Sequence, residues 1–430
     1  MKQIYTFIIL VLVAGQLSAQ MVAKSEAGPF LLRNATIHTI TSGDFTGDLY
    51  IKDDKIVQLG VNLRPEGKYT TIDCSGKHIY PGMIDAGTQL GLSEIESISV
   101  TNDFNEVGDL VPQMQALTAV NPNAVTIPVT RTNGITTALV APKGGRFPGT
   151  AAVIDLHGYT PEQMDAGFKG VVMNFPSSGR RGRWDRRSDE DIKKDSEKAL
   201  KKLDEIWADA VLYAKIDSAA NSQKTQIAGY QPEMEALKSV VNKKTLLLVE
   251  VNKSSDILLA IDWIKKTGVK AVLTGVAEGY RVASKIAEAG LAVITGPVLD
   301  TPRREYDKYD APYTNAAVMF KAGIKVAIRT DEAENVRNLP FNAGFAAAYG
   351  LGKEEALRAI TIVPAEILGM EDRYGSIEPG KVANLLICNG DPLETKTIID
   401  HLFIRGWKIP MENRHTLLYD EFLKRSPGLK

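Results

Sequence analysis

Histidine and cysteine are scarce in this sequence, at five and two residues in 430. Two cysteines, Cys74 and Cys388, cannot build a disulfide framework or a cysteine-rich zinc site. Neither sign of charge prevails: 51 Lys and Arg stand against 52 Asp and Glu. That balance argues against a nucleic-acid binder working through bulk charge. No Gly-x-Ser-x-Gly elbow, His-Glu-x-x-His helix or Cys-x-x-Cys pair occurs. What remains is an ordinary globular composition, 44% hydrophobic and 24% charged. The length suits two or three domains at about 150 residues each, or one barrel with an appendage.

Long apolar runs are also missing, with one short one at the start. Met1-Lys2 precedes an apolar core from Phe7 to Ala14, followed by Gly15 to Gln20. This layout predicts a secretory signal over 1–19, cut after Ala19. The run falls short of the ~20 residues that a spanning helix needs. No Cys lies near the cut, which argues against a lipid anchor. The expectation is an exported protein, periplasmic or secreted, with no transmembrane segment left after cleavage.

From Leu31 to Thr71 apolar and polar residues alternate between Asn, Asp and Gly breakers, and Asp53-Asp54 suits a hairpin turn. A similar β signature returns from Gly375. Between them, short apolar runs alternate with helical patterns. Eight candidate strands stand out: 82–85, 135–140, 151–155, 170–174, 246–251, 271–275, 291–295 and 325–330. Eight βα repeats predict a closed α/β barrel, with an open doubly wound sheet as the competing arrangement. The β-rich ends would then join in one sheet beside it.

Two segments invite sharper readings. Arg180 to Asp191 carries five Arg around Trp184, but Asp185, Asp189, Glu190 and Asp191 are interleaved and an amphipathic helix follows. It reads as a solvated helix entrance, with an interaction surface as the alternative. Gly375 to Lys381 nearly spells a phosphate loop, yet Val382 stands where a hydroxyl must bind Mg²⁺.

Tyr80-Pro81-Gly82-Met83-Ile84-Asp85-Ala86 and "GSIEPGKVANLLICNGDPLE" carry a resemblance. With "RTNGITTALVAPKGG" and "GIKVAIRTD", they resemble the metal-dependent amidohydrolase superfamily, particularly its imidazolonepropionase-like branch. The resemblance runs from about Phe30 to Glu394. It implies a (β/α)8 TIM-like barrel with a β-sandwich composed of N- and C-terminal strands. The expected division is 20–80 for the first part of the sandwich, 81–370 for the barrel, and 371–430 for the rest of the sandwich and a tail. It also implies one or two divalent metals at the C-terminal strand ends. There a metal-bound hydroxide attacks a C–N carbon and an Asp shuttles the proton.

At the positions the resemblance assigns to metal ligands, this sequence departs. The His-x-His window after strand 1 reads Gly87-Thr88-Gln89. The strand-4 position falls near Val172, strand 5 on Glu250 with Asn252 beyond it, and strand 6 on Gly275. Asp331 alone matches, within Arg329-Thr330-Asp331. His38 and His78 lie in the N-terminal β region, His157 follows the third candidate strand, and His401 and His415 lie beyond the barrel. Asp331 is thus the one catalytic candidate, with a structural partnership to a neighbouring base as the competing role. Gly87, Gln89, Glu250, Asn252 and Gly275 are the candidate pocket. The two glycines read as vacated space able to admit a small molecule.

The resulting expectation is a catalytically degenerate amidohydrolase that binds a small molecule or pairs with a paralogous amidohydrolase subunit. No cofactor and no nucleic acid are expected, and a dimer is the default assembly. The alternative is a hydrolase of cyclic amides or imines with a weakly bound divalent cation on Glu250 and Asp331, both hard oxygen donors.

Overall fold

A computed structural model describes residues 24–179, 185–223 and 229–425. The secretory-signal reading of 1–19 and the Arg180–Trp184 part of the arginine-rich segment lie outside the described residues.

The N-terminal strands are β1 (Phe30–His38), β2 (Asp44–Lys52), β3 (Lys55–Gly60), β4 (Thr70–Asp73) and β5 (His78–Pro81). Asp53 turns β2 into β3 with φ of 55°, a left-handed conformation that Asp tolerates in hairpins. Eight strands follow: β6 (Met83–Thr88), β7 (Ile135–Val140), β8 (Gly149–Asp155), β9 (Asp165–Asn174), β10 (Leu246–Val251), β11 (Ala271–Gly275), β12 (Val293–Thr295) and β13 (Val326–Ile328). The chain ends through β14 (Leu385–Cys388), β15 (Ile399–Ile404) and β16 (Trp407–Ile409), then a helix Arg414–Lys424.

Two sheets result. Strands from both chain ends share one, in the order β16-β15-β14-β5-β1-β2-β3 with β4 beside β1. The other runs β13 to β6 in unbroken sequence order. Its edges approach each other: the Asp331 amide donates to Gly87 O (2.9 Å), and the Gln89 amide to Glu332 O (3.0 Å). A barrel of eight strands beside a sheet drawn from both termini is the architecture expected.

One expectation needs correcting. The eight strands are not eight βα units, because β8 runs antiparallel to both β7 and β9. Only eight residues, 141–148, join β7 to β8, whereas a parallel crossover needs about a dozen or more. The chain therefore turns back at the mouth, placing 141–148 on its rim.

Strand periodicity decides what enters the barrel. Ile84, Leu139, Val153, Val172, Leu248, Val272, Ile294 and Ala327 form the interior cluster. Their neighbours Met83, Ala138, Met173, Val249, Leu273 and Val326 pack outwards against the helices. Side chains alternate with period two, so Glu250 follows Leu248 inwards and Arg329 follows Ala327. Outside, Trp207 of the helix Asp189–Gln223 meets Trp263 of the helix Ser254–Thr267 edge-on, with ring centroids 5.3 Å apart. Gly268 stops the second helix with φ of 65°, as its position predicts.

Cys74 and Cys388 are free and buried, and burial pushes both thiols up to about 11. They are inert packing residues. No described helix is long and apolar enough to cross a membrane.

Candidate functional site at the barrel mouth

A cavity of about 340 Å³ opens where β6, β9, β10 and β13 end. Ala86, Leu139, Val172 and Leu248 supply apolar wall. Gln89, Lys143, Asn174 and Asp331 supply polar groups. Arg329 and Glu250 also line it. Of the predicted site residues, Gly87, Gln89, Glu250 and Asp331 therefore share one cavity. Asn252 and Gly275 stand just behind Glu250.

The Arg329 guanidinium dominates this mouth. Nη1 donates to Glu250 Oε2 at 2.8 Å and Nη2 to Oε1 at 2.9 Å, a two-pronged pairing. Nη2 also lies 3.6 Å from Asp331 Oδ2. Thr274 Oγ1 (2.7 Å) and Asn252 Nδ2 (3.0 Å) donate to the same Glu250 carboxylate. Burial would raise that carboxyl, but the Arg329 charge and these donors hold it below its usual range. For Arg329, burial opposes the charged form, and the charges of Asp331 and Glu250 more than offset it, so its pKa is raised.

The two glycines explain how a guanidinium fits here. A Cβ on Gly87 would stand 2.8 Å from Arg329 Cδ. A Cβ on Gly275 would meet Glu250 Oε1 and lie 2.6 Å from Asn252 Oδ1, and its φ is +82°. The space read from the sequence as vacant is filled by the chain's own charged side chains. The ligand-sized room lies further out, towards the 141–148 rim.

Asp331 adopts a φ of 57°, rare for a residue with a Cβ. Lys143 Nζ on the rim lies 3.2 Å from its Oδ1 and donates to its carbonyl at 3.3 Å. Asp331 is thus partnered by two bases. Beneath it Asp85 is wholly buried, accepting from the Gly87 amide and from both the amide and hydroxyl of Thr330. Burial pushes its carboxyl up to about 7 despite those donors.

Sequence reasoning passed over Arg329, Lys143, Asn174 and Asp85. A signal existed for Arg329: a charge on the inward period of an otherwise apolar strand, two residues after Ala327. Asp85 carried the same kind of signal, an acid inside the apolar strand β6, but its partner Thr330 lies 245 residues away.

Barrel and appended sheet together are the architecture of the amidohydrolase class. The family's sequence profile matches residues 79–408, and the chain belongs to the amidohydrolase family. Within it, the imidazolonepropionase of Symbiobacterium thermophilum is 34% identical over 108 residues, 24% of either chain. The D-hydantoinase of Rhizobium radiobacter is 43% identical over 60 residues, 14% of this chain and 12% of that one. These matches span about a quarter or less of the relatives' own length. A solved amidohydrolase from Thermotoga maritima MSB8 superposes with a TM-score of 0.79 at 26% identity, covering 90% of this chain and all of that one.

Membership corrects the expectation of no cofactor, since the family is generally metal-dependent. The residues at this mouth do not fit such a metal. Glu250 gives both oxygens to Arg329, Thr274 and Asn252. Arg329 puts a permanent cation beside Asp331. Among the described residues, no three His, Cys, Asp or Glu side chains are grouped to hold a metal ion. The rebuilt oxygen-ligand site on Glu250 and Asp331 therefore lacks free donors in this geometry.

Proposed function

We propose that this chain is a catalytically degenerate amidohydrolase, exported from the cytoplasm, that captures a small polar molecule at its barrel mouth. It would act alone or beside a paralogous, active subunit. The carrying observation is the Arg329–Glu250 pair seated in the space that Gly87 leaves open. A hydrolytic centre needs a group that makes water nucleophilic at neutral pH. Here the inward carboxylate is neutralised by a guanidinium, and the outer one, Asp331, is held by Lys143 and Arg329.

What the mouth offers instead is recognition. Its apolar walls and the Gln89 amide suit a small ring with hydrogen-bonding edges, while Asn174 spends its Nδ2 on the carbonyls of Gly144 and Gly145 and holds the rim in place. The names of the relatives, imidazolonepropionase and D-hydantoinase, point to imidazolones and hydantoins as the first compounds to try.

The test is a calorimetric binding screen of such compounds, with and without added zinc, in which each bound compound is recovered and checked for ring opening. Saturable binding with the compound intact supports the reading. Ring opening above background by the wild type, lost in Asp331→Asn, overturns it.

A further inference from the structure

We infer that a small oxyanion, a carboxylate or a phosphate, binds at the opposite end of the barrel, where Arg131, His157 and Arg405 converge beside Trp407. This site is independent of the mouth. It lies near the start of β7, where the Leu156 amide donates to Thr136 O at 2.8 Å.

Arg131 carries the argument. It ends the helix Thr126–Arg131, and its guanidinium has one acceptor among the described residues, the Leu156 carbonyl at 3.1 Å. Its Nε is buried with no acceptor. Burial pushes its pKa down to about 10, and no acid counteracts that shift. Arg131 is half-buried and, among the described residues, no carboxylate lies within ion-pair distance of it, so its charge is only partly solvated and lacks a counter-charge. A buried donor without an acceptor calls for a partner, and beside a guanidinium with no counter-charge an anion is the partner that fits the charge.

Two further bases face the same place. The His157 ring is driven to about 4 by burial, then by the charges of Arg131 and Arg405. Contacts bring both arginines to the same stretch of backbone: Arg131 holds the carbonyl of Leu156, which precedes His157, and Arg405 pairs with Asp155 two residues before it. A neutral imidazole still offers an acceptor one N–H. Arg405, in the turn between β15 and β16, has Nε 3.4 Å from Asp155 Oδ2 and donates from Nη1 to Gln163 O at 2.8 Å. Asp155 is the single acid paired here, and it also serves Tyr374, Asn384 and Thr137. The site is approachable: Trp407, 42% exposed, stands with its ring 5.8 Å from that of His157.

The geometry favours an oxyanion over a halide, because a guanidinium presents donors in a fork that matches two oxygens. Arg131 and His157 come from the barrel, whereas Arg405 and Trp407 come from the terminal sheet. A bound oxyanion would tie the two together, so its signature is stability.

The experiment compares melting temperatures of wild type and Arg131→Met in sodium chloride, sodium acetate and sodium phosphate at equal ionic strength. The expected result is a saturable rise for wild type of about 2 °C or more over chloride, absent in Arg131→Met. A rise in phosphate alone identifies a tetrahedral anion, and a rise in acetate as well identifies a carboxylate site. Equal responses of the two proteins in every salt overturn the inference. Should Arg131→Met fail to fold, the His157 ring resonances of the wild type decide, assigned with His157→Gln. Phosphate or acetate must shift them and raise the ring's pKa, and a ring indifferent to both anions overturns the proposal.

Discussion

Arg329 and Glu250, 79 residues apart in sequence, meet through two parallel N–H···O bonds of 2.8 and 2.9 Å at the mouth of the barrel. Arg329 is 8% exposed and Glu250 24%. Removing either partner strands the other charge in a poorly solvated place. We expect Glu250→Gln or Arg329→Met each to lower stability by about 3 kcal/mol. The joint replacement Arg329→Met with Glu250→Leu should cost less than the two single changes summed. Urea unfolding of the four proteins measures the coupling, and strict additivity would show that the pair is not a unit.

Imidazole cannot simply be put back at position 87. The Gly87→His side chain must pass through the place of Arg329 Cδ, 2.8 Å from where its Cβ would be. The single substitution should therefore destabilise by about 1–3 kcal/mol. In an Arg329→Gly background the steric part of that penalty should disappear. Thermal melts of the single and double variants test this. An equal loss in both backgrounds would mean that Arg329 is not what fills the space.

Asp85 makes stability depend on pH in an unusual direction for a carboxyl. Its folded pKa is about 7, above the unfolded value of about 3.9. The folded state then holds a proton that the unfolded chain releases between those values. Its contribution is fully present below about pH 4 and is lost as pH rises towards and through 7. The slope approaches 1.4 kcal/mol per pH unit at most. Asp85→Asn, neutral throughout, should flatten the fall in stability between pH 5 and 7. Urea midpoints at four pH values would show it, and parallel profiles for the two proteins would refute it.

Asn384 ties the terminal sheet to the barrel. Its amide donates to Thr137 Oγ1 (2.9 Å) and Asp155 Oδ1 (2.8 Å), and its oxygen accepts from the Arg405 amide (2.7 Å). Asn384→Leu leaves buried groups unpaired and should cost about 2–4 kcal/mol. Chemical unfolding gives the number, and a change under 1 kcal/mol would show that water replaces the amide.

Strand positions in this chain were legible because their cause is local. Runs such as Leu246–Val251 and Ala271–Gly275 are apolar on both faces except near their C-terminal ends, the mark of strands covered on both sides. The direction of β8 was not legible in the repeat, and a count of residues between β7 and β8 was the sole clue. At the site, the sequence showed that imidazole is missing at Gly87, Gln89, Glu250 and Gly275. It did not show that an arginine from β13's end lies across that gap.

The positions of the strands and the shared sheet of the two termini followed from the sequence by itself. Each depends on period, spacing or residue identity, which are properties of neighbouring positions. Tertiary structure alone decided that Arg329 occupies the room beside Gly87, that Asp85 is sealed beneath Thr330, and that Arg131 is left without a counter-charge. Those outcomes depend on which distant side chains share a small volume, and a guanidinium's partners are set by closure of the barrel rather than by anything adjacent to it in the chain.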